Sequence, residues 1–101
     1  MKYQLRYSDP ALEDIKELRF VIRHIYKAPN TAIQYLQGLY DEISRLKIHP
    51  EYPPVQSSPF FHRYGTNVRR INYKKMAVIY TVHGNIVYIH RVIPASLITS
   101  L

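Results

Sequence analysis

The stretch VRRINYKKMAVIYTVHGNIVYIHRVI, residues 68–93, decides the fold. Val68 to Tyr73 reads as one strand, and Lys74-Lys75 marks a turn. Met76 to Val82 (MAVIYTV) and Ile86 to Ile93 (IVYIHRVI) are nearly continuous apolar runs, which predicts central, largely buried strands. His83-Gly84-Asn85 joins them, and Gly and Asn tolerate the positive φ that a tight hairpin demands. Phe60 to Tyr64 adds a short strand ahead of this block.

Upstream the periodicity changes. Lys2 to Tyr7 alternates, with Tyr3, Leu5 and Tyr7 on one side, as a strand with one buried face does. Ser8-Asp9-Pro10 is a helix start, an oxygen-bearing cap followed by a proline where no amide donor is needed. Leu12, Ile15, Leu18, Ile22 and Ile25 then recur at three and four, predicting a core-facing stripe. Ala28-Pro29-Asn30 interrupts it, with Asn30 or Thr31 placed to cap a second helix. That helix carries Ala32, Leu36, Leu39, Tyr40, Ile43 and Leu46 and ends near His49-Pro50. Two such helices joined by a short break form an antiparallel hairpin. Glu51 to Pro59, with Pro53-Pro54, is an extended connector too short to separate domains. The expected fold class is α+β, in the order β-α-α-β-β-β, within a single domain over residues 1–101. A helical hairpin packs on one face of a small, mainly antiparallel sheet and leaves the other face open.

The charge is distributed unevenly. The chain carries +7 and has a pI near 9.8. Residues 1–51 hold eight Lys/Arg and all seven acids; residues 52–101 hold Arg63, Arg69, Arg70, Lys74, Lys75 and Arg91 and no acid. Such an uncompensated field attracts polyanions or an acidic protein partner. The absence of cysteine excludes disulfides, thiol nucleophiles and thiolate metal sites. No apolar run reaches membrane-spanning length and the N-terminus shows no apolar leader, so the expectation is a cytoplasmic protein with no membrane partner.

Three stretches resemble the RelE/ParE toxin superfamily in order and spacing. YQLRYSDPALEDIKEL (3–18) resembles the family's first strand and helix. APNTAIQYLQGLYDEISRLKIHPEYPP (28–54) resembles its second helix with the prolines that follow. Residues 68–93 resemble its closing strands. The resemblance implies a growth-inhibiting toxin of a type II toxin–antitoxin module, a plasmid-stabilisation type of protein, neutralised by a cognate antitoxin. It implies one of two targets. ParE-like members inhibit DNA gyrase; RelE-like members cut messenger RNA on the ribosome.

Cutting RNA through its 2′-hydroxyl requires cations on the phosphate and groups that remove and deliver protons. The resemblance places a family arginine at Ala77 and a basic pair at Pro94-Ala95-Ser96, so this chain departs from the nuclease pattern twice. The remaining catalytic candidates are Arg70, His90 and Arg91, with His90 as acid or base and Arg91 as a bidentate phosphate ligand. Arg63, Arg69, Arg70, Tyr73, Lys74, Lys75 and Tyr88 are candidates for binding RNA or a protein partner. Each has a plainer reading: His90 as a hydrogen-bonded sheet residue, the lysines as solvated turn residues, the tyrosines as packing. Strand alternation places His90 and Arg91 on opposite faces, and likewise Arg69 and Arg70. His24, His49, His62 and His83 show no ligand spacing, so neither metal nor cofactor is expected. The two departures favour gyrase as target. A metal-independent, ribosome-dependent mRNA endonuclease is the alternative, and a non-toxic basic domain that binds nucleic acid or a partner is the third reading.

Overall fold

The computed structural model describes residues 2–98. Strand β1 (Gln4–Tyr7) leads into helix α1 (Asp9–Phe20), which continues as a π-helical turn over Val21–Ile25. Helix α2 (Pro29–Ser44) follows and closes in a 3-10 turn at Arg45–Lys47. A second 3-10 segment covers Pro59–Tyr64. Strands β2 (Arg69–Tyr73), β3 (Met76–His83) and β4 (Ile86–Pro94) come last, with a short 3-10 turn at Ala95–Leu97. The sheet order is β1-β4-β3-β2. β1 runs parallel to β4, and the other two pairings are antiparallel. The apolar runs β3 and β4 are thus the central strands, as their composition requires. Of the tail 94–101, residues 99–101 lie outside the described residues.

The helical hairpin packs on one face. Ala11 and Ile15 of α1, and Leu36, Leu39 and Ile43 of α2, meet Met76, Val78 and Tyr80 of β3 and Val87, Ile89 and Val92 of β4. The buried positions of α2 follow the sequence stripe, except that Tyr40 is partly exposed. Helix α1 departs from its stripe. Leu12 is 52% exposed and Ile25 is 63% exposed; the inward face is Ala11, Ile15 and Leu18. The π turn explains the far end. The amide of Tyr26 bonds the carbonyl of Val21, five residues back, at 3.2 Å. The extra residue in that turn carries Ile25 off the core-facing line. Helix α2 also begins earlier than Asn30 or Thr31. Pro29 occupies its first turn and Ala28 is the cap, without a side-chain bond.

The strand expected over Phe60–Tyr64 is a 3-10 helix, entered through Ser58 and Pro59. Adjacent residues of a strand face opposite ways, whereas Phe60 and Phe61 both enter one buried cluster, edge to face at 5.4 Å. That cluster, with Val68, Ile79 and Ile93, sits on the sheet face away from the helices, and Tyr64 and Ile98 pack around it. The far face is therefore partly covered, not open. Only the half toward β1 and the β3–β4 hairpin is left free of this plug.

The connector is tied down from beneath. The Tyr80 hydroxyl, on a fully buried ring, donates to the carbonyl of Pro50 at 2.6 Å. Burial pushes the Tyr80 phenol up to about 12 although Arg69 pulls it down. Tyr80→Phe leaves the Pro50 carbonyl without its donor. It is expected to lower stability by about 1–2 kcal/mol in a urea titration, with an unchanged slope.

Candidate functional site

Ser8 caps α1 and at the same time ties the helix to the sheet. Its Oγ accepts from the Ala11 amide at 3.0 Å and donates to the His90 carbonyl at 2.7 Å. Strand β1 pairs with β4 only as far as Tyr7↔Ile89. Beyond that point β4 has no strand on its outer edge, and α1 takes over. The Asp14 carboxylate accepts from the Val92 amide at 3.0 Å. It also holds Arg91 bidentately, at 2.7 Å from Nε and 2.8 Å from Nη2. Arg91 keeps 36% of its side-chain surface in solvent and Asp14 only 11%. The hydrogen bond to Asp14 raises the Arg91 pKa above its already high ordinary value.

Alternation fails at His90 and Arg91. The β3–β4 register pairs Tyr80 with Ile89 and Ile79 with Arg91, so His90 is the extra residue of a β-bulge. Residues directly opposite share a face. Arg91 therefore lies on the face of Ile79, the plugged face, and His90 contacts Tyr64 on that face too. The expectation that the two diverge is overturned: the bulge puts both on one side. Arg69 and Arg70 do diverge, opposite Tyr80 and Ile79 respectively.

The other candidates are dispersed. Arg69 points to the connector, where its Nη1 bonds the Glu51 carbonyl at 2.9 Å and also the Pro53 carbonyl. Arg63 bonds the carbonyl of Phe60 at 3.0 Å and lies over the Phe60 ring. Tyr73 packs under α2, edge to face with Tyr35, and leaves no room for a side chain at Gly38. Lys74 reaches back over both tyrosine rings, with its backbone at φ 54 in the turn, while Lys75 is exposed beside it. Tyr88 is half-buried against His90. Ala77 is fully buried. Arg70 stands in the same cross-strand row as Arg91, and no hydrogen bond or ion pair holds it among the described residues.

What converges is a smaller group. On the uncovered half of the far face, Tyr64, Thr81, His83, Tyr88 and His90 adjoin, with Arg6 in register beside Tyr88. Thr81, His83, Tyr64 and Arg6 were not singled out in the sequence. Thr81 and His83 are two apart on β3, and period two puts their side chains on one face. That spacing was legible, as was the shared face of Tyr88 and His90; the bulge that keeps Arg91 on the same face was not. Burial, and then the neighbouring His83, lower the pKa of His90 below the ordinary histidine value. Among the described residues no group of three His, Cys, Asp or Glu side chains could hold a metal ion. No helix is long and apolar enough to cross a membrane.

Residues 5–97 match the family described as the ParE toxin of the type II toxin–antitoxin system, parDE. No curated protein matches by sequence. Two solved structures share the fold. A chain of the chromosomal ParDE TA system from P. aeruginosa is 15% identical with a TM-score of 0.68, covering 92% of this chain and 96% of that one. A chain of the toxin–antitoxin complex RelBE2 from Mycobacterium tuberculosis is 14% identical with a TM-score of 0.58, covering 93% and 99%.

Arg69 holds the connector. Arg69→Ala is expected to cost only about 1 kcal/mol, since the two carbonyls regain water. It should nevertheless accelerate amide exchange at Gln56, whose N–H bonds the Val68 carbonyl at 2.8 Å beside the freed segment. Unchanged protection at Gln56 would contradict this assignment.

Proposed function

Because this chain belongs to the ParE toxin family of type II toxin–antitoxin systems, we propose that it poisons its target by binding, as a gyrase-directed inhibitor, and does not cut RNA. The observation that carries the reading is the state of the residues a nuclease needs. Arg91, the best remaining phosphate ligand, spends its bidentate geometry on Asp14. Releasing it would leave the partly buried Asp14 carboxylate without its counter-charge, a cost of about 1–3 kcal/mol. Ala77 is buried in the sheet and offers no charge. The three catalytic candidates share one face, beside the Phe60/Phe61 plug, and of them Arg70 and His90 are not held by an acid. His90 is held neutral there, which suits a base but leaves one arginine to meet a pentavalent phosphate.

The ribosome-directed reading keeps one supporting observation: Tyr64, Tyr88 and His90 form an aromatic surface with Arg6 and Arg70 near it, on which bases could stack. A cognate antitoxin is the proposed partner in either case. Arg69 and Arg91 are engaged within the fold, so they are poor anchors for its acidic side chains. Lys74 and Lys75 are better placed. They rim an apolar groove of about 540 Å³ formed with Val21, Ile22, Tyr26 and Tyr35. An acidic amphipathic segment of the antitoxin fits this combination of charge and apolar lining.

Purified toxin is expected to inhibit DNA supercoiling by gyrase and to leave messages intact in a translating extract. Arg91→Lys should retain that inhibition in proportion to the folded fraction. Codon-phased cuts in the message, lost in Arg91→Lys, would establish the nuclease reading instead.

A further inference from the structure

Thr81 is 2% exposed, and its hydroxyl meets two imidazoles at once. The Nε2 atoms of His83 and His90 each lie 2.8 Å from Thr81 Oγ1. A hydroxyl has one hydrogen to give and lone pairs to accept with. It donates to one ring and accepts from the other, so one Nε2 is bare and the other carries hydrogen. Burial decides the direction. His83 is exposed at the end of β3, where a charge is solvated; His90 is half-buried between the rings of Tyr64, at 5.4 Å, and Tyr88, at 4.8 Å. The chain therefore runs from His83 Nε2–H to Thr81 Oγ1, and from the Thr81 hydroxyl to a bare His90 Nε2.

We propose that His83, Thr81 and His90 form a hydrogen-bond relay that latches His90 between Tyr64 and Tyr88, and that a proton on His90 releases the ring and reshapes this face of the molecule. That proton turns both Nε2 atoms into donors toward one oxygen. The Thr81 hydrogen then has no acceptor, on a side chain that is 2% exposed.

The charged groups around His90 are basic. Beside it on β4 stand Tyr88 and Arg91, and from the 3-10 segment comes Tyr64. On β3 lies His83, on β1 Arg6 in register with Tyr88, and on β2 Arg70 in the row of Arg91. Asp14 of α1, the acid that bonds this group among the described residues, is taken by Arg91. The sign follows. The folded state binds the His90 proton less readily than the unfolded chain, so the latch contributes stability above the ordinary histidine range. That contribution is lost as pH falls through the lowered His90 pKa.

The test is a pH titration of the histidine ring signals by NMR, with the tautomer read from the ring nitrogens. The expected result is His90 as the Nδ1–H tautomer, titrating below the ordinary histidine value, its ring contacts to Tyr64 and Tyr88 vanishing as it charges. Thr81→Val removes the relaying hydroxyl, and His83→Gln keeps a donor while removing the rival charge at an exposed position. Both should shift the His90 titration upward, toward the ordinary histidine value. His90 as the Nε2–H tautomer, keeping its tyrosine contacts when charged, or unmoved in His83→Gln, would overturn the proposal.

Discussion

The fold hangs on a carboxylate at a strand edge. β4 is nine residues long and β1 only four, so the outer edge of β4 loses its partner after Ile89. An unpaired edge in a buried place leaves amides without acceptors. Here Ser8 and Asp14 of α1 supply what a longer β1 would have supplied: the serine takes the His90 carbonyl and the aspartate takes the Val92 amide. The same aspartate then captures Arg91. One side chain thus fixes where α1 crosses the sheet, closes the edge, and withdraws the strongest anion ligand of the last strand. The helical hairpin, the core beneath it and the capture of Arg91 share that origin.

Much of this was legible in the residues, for reasons that can be named. MAVIYTV and IVYIHRVI are largely apolar because helices cover one face of β3 and β4 and Phe60 and Phe61 cover part of the other. The stripe of α2 is regular because its buried residues, Ala32, Leu36, Leu39 and Ile43, fall within one unbroken α-helix. What failed was local phase. Two failures come from one extra residue in a regular pattern: the π turn at Val21–Ile25 rotates Ile25 outward, and the bulge at His90 brings His90 and Arg91 to one face. A periodicity argument assumes a constant period and cannot register an insertion that costs the chain only one hydrogen bond. Phe60–Tyr64 failed differently. Aromatic residues favour strands, but Ser58-Pro59 starts a helical turn, and only that turn buries both phenylalanines together.

The candidate residues sorted themselves by partner. A positive charge in sequence announces a field, but the structure shows which charges are already answered. Arg69 is answered by connector carbonyls, Arg63 by Phe60 and Arg91 by Asp14. Arg70, Lys75 and the rim of the groove carry what is left of the basic surface. The fold is common to solved chains of ParDE and RelBE2 systems, and the target follows from the site and not from the architecture. This site is poor in free arginine and rich in aromatic and apolar contact, the combination on which the proposed binding role rests.

The central claim is that Arg91 and Asp14 act as one structural unit. A double-mutant cycle in urea denaturation, with Asp14→Ala, Arg91→Ala and the pair, tests it most directly. The account predicts strong non-additivity, with a coupling of about 1–2 kcal/mol, kept modest by the partial exposure of Arg91. Additive losses, with Arg91→Ala alone costing nothing, would show an arginine free to serve a ligand and contradict the account.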